Sequence, residues 1–281
     1  MKSRLSLLLL LTCAFLVTPA AAQFPEPPPN SNYRNPLPPL DTESSRNSAN
    51  RTPPTEARVL TKGVLAPAEA DRLMYASFLS QSNTGLVHLL PRQFKNSKFA
   101  RPDAVKINGG GAYYSFYYLS HEYGRGSDLE LGTTLTFYGQ TEIPPSHHFS
   151  VGFAGADFGI LTNIGDVPIE SVTRDDPSGE FMLKYIPPRL EQRARCEYRM
   201  LLRGVRYDGR MYASKAPIET NATYLLRSIN YDTSDVLVAF RVVRQDPDDS
   251  VTIAWKLLKK FNRPMLDPRL KPDPTFQCPI R

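Results

Sequence analysis

The chain has 281 residues, with 34 Lys and Arg against 28 Asp and Glu. So mild a basic excess argues against nucleic acid as a partner. Beyond the amino-terminal segment, no apolar stretch is long enough to span a bilayer, which takes about 20 residues.

Lys2 and Arg4 form a short positive region, Leu5 to Val17 a compact apolar run, and Ala20-Ala21-Ala22 the small residues that a signal peptidase requires. That order predicts a cleavable secretory signal over residues 1–22, with Gln23 first in the mature chain. Pro19 ends the apolar run too early for a membrane anchor, and the run continues past Cys13, which argues against lipidation there. Cys13 leaves with the signal, so the mature chain keeps Cys196 and Cys278. In an oxidising compartment these two are expected to form one disulfide.

Residues 23–58 are dense in proline, with Ser and Asn between. Such a segment has too little apolar surface to offset the entropy of ordering, so it reads as a disordered spacer. Pro36 and Pro39 have the spacing of a PxxP ligand, but two fixed positions are better read as part of that spacer. Residues 59–281 are long enough for one substantial core and are expected to form a single domain.

The domain opens with a predicted helix: Pro67 suits a first turn, Ala70, Leu73, Met74 and Phe78 share a face, and Gly85 follows as a stop. Strand signals come next, at Gly85–Leu90, Ala112–Ser120, Leu129–Tyr138, Phe149–Phe153 and Phe181–Ile186. Arg189–Val205 carries two periodicities. Leu190, Ala194, Tyr198, Leu201 and Val205 fit a helical face, whereas Leu201 breaks the competing strand alternation, so a helix is expected. Asp208-Gly209 marks a hairpin tip. Tyr224–Ile229, Val236–Val243 and Val251–Leu258 are β-rich runs split by short turn segments, which implies an antiparallel meander. The expected fold is mainly β with one or two helices, built on an antiparallel sheet, for which a two-layer sandwich is the natural arrangement.

The familiar catalytic signatures are missing. There is no GxSxG, SxxK, HExxH, Walker loop or GxGxxG, and Asp157-Phe158-Gly159 lacks the companion motifs of a kinase. His147 and His148 are neighbours, so on a strand they would face opposite ways; the prolines before them suggest an exposed loop, and no metal or other cofactor is expected. Glu122, Asp128, Glu130, Glu142 and Asp157 could supply a glycosidase pair, with His121 beside them.

Aromatic crowding is the strongest feature. On a continuous strand Tyr113 and Tyr117 would share one face, and Tyr114, Phe116 and Tyr118 the other. A tyrosine face would suit a sugar or a protein partner. Arg195, Arg199, Arg203 and Arg206 form a basic stripe that could meet an acidic polymer or partner, although Glu191 is placed to pair with Arg195. The expectation is an exported, non-catalytic binding or structural protein of the periplasm or cell surface. Its partner would be a glycan, an envelope polymer or another exported protein. The alternative is a secreted hydrolase acting on carbohydrate or envelope material through the carboxylates.

Overall fold

The computed structural model describes residues 64–94, 105, 107–121, 123–124, 126–152 and 157–279. The predicted signal and spacer, and Glu122, lie outside the described residues. In chain order the first elements are helices α1 (Glu69–Met74) and α2 (Ala76–Leu79), then strands β1 (Thr84–Leu89), β2 (Tyr113–Tyr114), β3 (Leu129–Tyr138), β4 (Thr141–Ser150) and β5 (Phe158–Gly165). Helices α3 (Glu180–Lys184) and α4 (Glu191–Arg203) follow. Strands β6 (Val205–Tyr207), β7 (Arg210–Tyr212), β8 (Lys215–Pro217), β9 (Thr223–Asn230), β10 (Ser234–Gln245) and β11 (Val251–Lys260) complete the domain.

The strands are antiparallel and make two larger sheets, beside the two-stranded sheet of β6 and β7. One has the order β1-β11-β10-β9-β5 and the other β2-β3-β4-β8. The meander predicted for the last three strands is present, as is the hairpin at Asp208-Gly209, where both residues take the positive φ of a two-residue turn. The sheets stack into a sandwich. Leu129, Leu131 and Phe149 of the smaller sheet share one core with Tyr224, Leu226, Val238, Phe240, Ile253 and Trp255 of the larger. The Phe149 ring lies 5.0 Å from that of Phe240 and 5.5 Å from that of Tyr224.

The larger sheet is covered on its other face too. There Phe158, Ile160, Leu225, Ile229 and Leu237 pack with Met182 of α3 and with Ala194 and Leu201 of α4. Burial on both faces explains why every residue of β9 is buried and its sequence shows no alternation. α4 confirms the helical reading of its segment, with Ala194 and Leu201 on the buried side. Cys196 of α4 is bonded to Cys278, with 5.5 Å between the Cα atoms, which ties the irregular C-terminal tail to the helix.

Several elements differ from expectation. Among the described residues there are four helices, not one or two. The first predicted helix breaks at Tyr75, and its expected apolar face does not form: Phe78 is buried, while Leu73 and Met74 face solvent. Instead α1 is tied to the sheet by an ion pair between Asp71 and Arg244, 2.7 Å long. Phe181–Ile186 is not a strand. Asp176 caps the preceding turn by accepting from the Ser178 amide, and the chain runs straight on into α3. His147 and His148 lie within β4, not in a loop. The largest departure is Ala112–Ser120. Only Tyr113 and Tyr114 are strand, and the chain then doubles back so that Ser115 bridges Ser120. The cause is Asp128, whose carboxylate accepts from the Phe116 amide at 2.7 Å and the Tyr117 amide at 3.3 Å, diverting donors a strand would use in its ladder.

Candidate functional site

In antiparallel sheets, residues directly opposite one another on neighbouring strands point to the same face. The ladder of the smaller sheet pairs Tyr113 with Glu130, Glu130 with Ser150 and Ser150 with Lys215. These four side chains therefore form one row across β2, β3, β4 and β8. Their neighbours Leu129, Leu131, Phe149 and Ala216 point inward to the sandwich core, so the row faces outward.

The row is the floor of a cleft of about 760 Å³. On the β8 side α4 contributes Tyr198 and Leu202, and on the β2 side the loop at Asn108–Gly110 and Tyr123 contribute. The disulfide and the packing of Ala194 and Leu201 hold α4 in place, and the Ser214 amide bonds the Leu201 carbonyl at 2.8 Å beside β8. Gly109 has φ +87°, and a Cβ there would stand 2.4 Å from the Tyr113 ring, so the loop can fold over that ring only as glycine.

Glu130 is the centre of the floor and is 6 % exposed. The Tyr113 hydroxyl donates to Oε1 at 2.7 Å, Arg92 Nη1 donates to the same oxygen at 3.1 Å, and Ser150 Oγ donates to Oε2 at 2.6 Å. A buried carboxylate is tolerated because three donors meet it. Burial, and next the Glu130 charge, push the Tyr113 phenol well above its usual pKa; the same two causes raise Tyr198. The Tyr113 hydroxyl therefore keeps its proton and donates it to Glu130.

The next row pairs Gly132 with His148. A Cβ on Gly132 would lie 2.8 Å from His148 Nε2, so the glycine makes room for the ring to lie across the sheet. Burial first, then the charge of Lys215, lower the His148 pKa from its ordinary value. At neutral pH the ring is an uncharged donor and acceptor in the cleft wall.

The residues singled out from the sequence divide. Tyr113 and Glu130 are in the cleft. Tyr117 is not: it lies in the turn beyond β2, 40 % exposed, with Lys260 Nζ 4.9 Å from its ring. The shared face expected of Tyr113 and Tyr117 does not exist, because the strand ends between them. Arg195 pairs with Glu191, its Nε donating at 2.8 Å, and Arg195, Arg199 and Arg203 lie on α4 outside the cleft lining. Asp128 is fully buried, with Asn230 Nδ2 donating to it at 3.0 Å. Asp157 accepts from the Tyr231 amide, and His121 packs against Tyr114. None of these three lines the cleft with Glu130.

On the other face of β3 and β4, Thr133 Oγ1 lies 3.0 Å from His147 Nδ1, and His147 Nε2 lies 3.4 Å from Asp249, beside a smaller cavity of about 240 Å³. His147 and His148 thus point to opposite sides, as neighbours on a strand must. Among the described residues no group of three or more His, Cys, Asp or Glu is placed to hold a metal ion, and no helix is long and apolar enough to cross a membrane.

Sequence reasoning missed Arg92 and Ser150 as partners of Glu130, and His148, Tyr198 and Lys215 as walls of its cleft. One local signal was available: Glu130 stands between Leu129 and Leu131, and alternation requires the charged residue to face away from the core those leucines enter. No family model, no curated protein and no solved structure matches the chain, so the function must be argued from these residues.

Proposed function

We propose that this chain is an exported, non-catalytic glycan-binding protein whose ligand site is the cleft on the outer face of the β2-β3-β4-β8 sheet. The row Tyr113–Glu130–Ser150–Lys215 carries the reading. Sugars are recognised by fixed acceptors and donors that meet their hydroxyls and by rings that cover their apolar faces. Here a carboxylate is held in place by three donors, with Tyr123 and Tyr198 at the two sides of the cleft. The two cysteines in a disulfide fit an oxidising compartment outside the cytoplasm.

The test is titration of the mature protein with neutral and acidic oligosaccharides from cell-envelope material. Binding should weaken at least about tenfold in Glu130→Gln, the loss of one charge-assisted contact. Leu202→Ser, at an exposed position of the wall, should also weaken it without lowering the melting temperature. Oligosaccharide binding that neither substitution alters would place the ligand elsewhere and defeat the proposal. Release of new reducing ends would move the reading to the hydrolase.

A further inference from the structure

We propose that the cleft prefers glycans that carry carboxylates, and that Lys215 is the residue that selects them. The inference rests on the glycan reading of the cleft and concerns its charge.

Among the described residues, three that line the cleft are charged: Arg92, Glu130 and Lys215. Arg92 and Glu130 lie 3.1 Å apart and offset one another. Lys215 is left as the surplus. It is exposed at the β8 end of the row, and among the described residues it makes no ion pair. Its ladder partner is Ser150, so its side chain leaves the sheet on the cleft face. Its charge is felt inside the cleft, since after burial it is the next cause of the lowered His148 pKa.

The geometry follows from strand spacing. Adjacent strands are about 4.8 Å apart, so Lys215 stands two strand spacings, roughly 10 Å, from Glu130 along the row. A sugar whose ring hydroxyls engage Glu130 and Ser150 can direct an exocyclic carboxylate toward the ammonium. A neutral sugar in the same pose leaves Lys215 hydrated and loses nothing. The acidic sugar gains a charge-assisted hydrogen bond at a partly exposed site, a preference of about tenfold at low salt.

The experiment uses the mature protein, a uronic-acid oligosaccharide and its carboxyl-reduced counterpart of the same length, measured calorimetrically at low and high salt. The acidic form should bind about tenfold tighter at low salt, with the difference shrinking as salt rises. Lys215→Gln should erase the difference and Lys215→Arg should keep it. Equal affinity for the two oligosaccharides, with both lost in Glu130→Gln, leaves the glycan site standing and overturns charge selection. A preference that survives Lys215→Gln also overturns it. Binding of neither form removes the cleft reading and this inference together. Tighter binding of an oligoglutamate peptide than of the uronate would assign the cleft to acidic peptide and overturn the glycan choice.

Discussion

Asp128, which is buried, and His121, which is half-buried, show how single groups set the response of this domain to pH. Burial raises the Asp128 pKa to about 6 from 3.8, although Phe116, Tyr117, Ser115 and Ser228 all donate to it. The folded state then holds a proton that the unfolded state has released between those values. Its contribution to stability is full below about pH 4 and is lost as pH rises through 6. His121 has the opposite sign. Burial, and next the charge of His88, lower its pKa to about 4 from 6.5, so its contribution is full above 6.5 and is lost as pH falls through 4. Each is worth roughly 3 kcal/mol, and the two oppose one another over the same window. His121→Phe should therefore cost little at pH 7, since Nδ1 is buried without a hydrogen-bond partner. The melting temperature of this variant should fall less than that of the parent between pH 7 and pH 4. Asp128→Asn should do the reverse, falling more steeply, with an added loss at every pH, because its Oδ1 can still accept from the Phe116 and Tyr117 amides but its amide nitrogen then faces the Asn230 Nδ2 donor. Melting curves for both variants that run parallel to the parent's would show that neither group is buried as described.

At the scale of elements, legibility followed locality. β9 to β11, the β6–β7 hairpin and α4 were readable because a run of suitable residues and its own turn or stop decide each one. Ala112–Ser120 was misread because a carboxylate outside the segment captures its amides, which no propensity records. The site was legible only in part for the same reason. Glu130 and Tyr113 stood out as residue types, yet Lys215 joins them through a register that depends on which strands become neighbours. The C-terminal tail is a further case of a distant partner. It lies against α4 through Arg189 with Asp267, Gln192 with Asp273, and Arg193 over the Phe276 ring. The disulfide closes a loop of 82 residues, for which chain entropy gives about 4 to 5 kcal/mol as an upper figure. Cys196→Ser with Cys278→Ser should lower stability by up to that amount. It should also expose the tail beyond Phe261 to protease while leaving the two sheets protected. A double variant as stable and as resistant as the parent would show that the surface contacts alone hold the tail.

The described part of the domain is layered, and its five-stranded sheet must hold both the smaller sheet and the helices. Toward the smaller sheet the contact is apolar, with Phe149 set among Phe240 and Tyr224. Toward the helices it contains a buried ion pair. Arg227 of β9 and Asp235 of β10 are 1 % and 2 % exposed at their side chains and 2.7 Å apart. Nε and Nη2 of Arg227 each donate to one carboxylate oxygen, and Nη1 donates to the carbonyls of Met182 and Tyr185 at the end of α3. A five-residue helix leaves its last carbonyls without partners of its own, so Arg227 satisfies them and fastens α3 to the sheet. The Phe261 ring, 3.7 Å from the guanidinium carbon, closes the site from the first residue after β11. Burial raises the Asp235 pKa, and Arg227 acts against that rise, so the carboxylate depends on its partner. Arg227→Met should then cost about 3 to 5 kcal/mol, because it strands a buried carboxylate as well as two carbonyls. Asp235→Leu should cost a similar amount by stranding the guanidinium. The double variant should cost clearly less than the two together, because neither charge is left alone, although the carbonyls of Met182 and Tyr185 still lack a donor. Urea unfolding of the four proteins measures this directly, and protease cleavage near α3 reports whether the helical layer has loosened first. Additive losses, or single substitutions costing under 1 kcal/mol, would mean that apolar packing of Met182, Ala194 and Leu201 holds the layer without the ion pair.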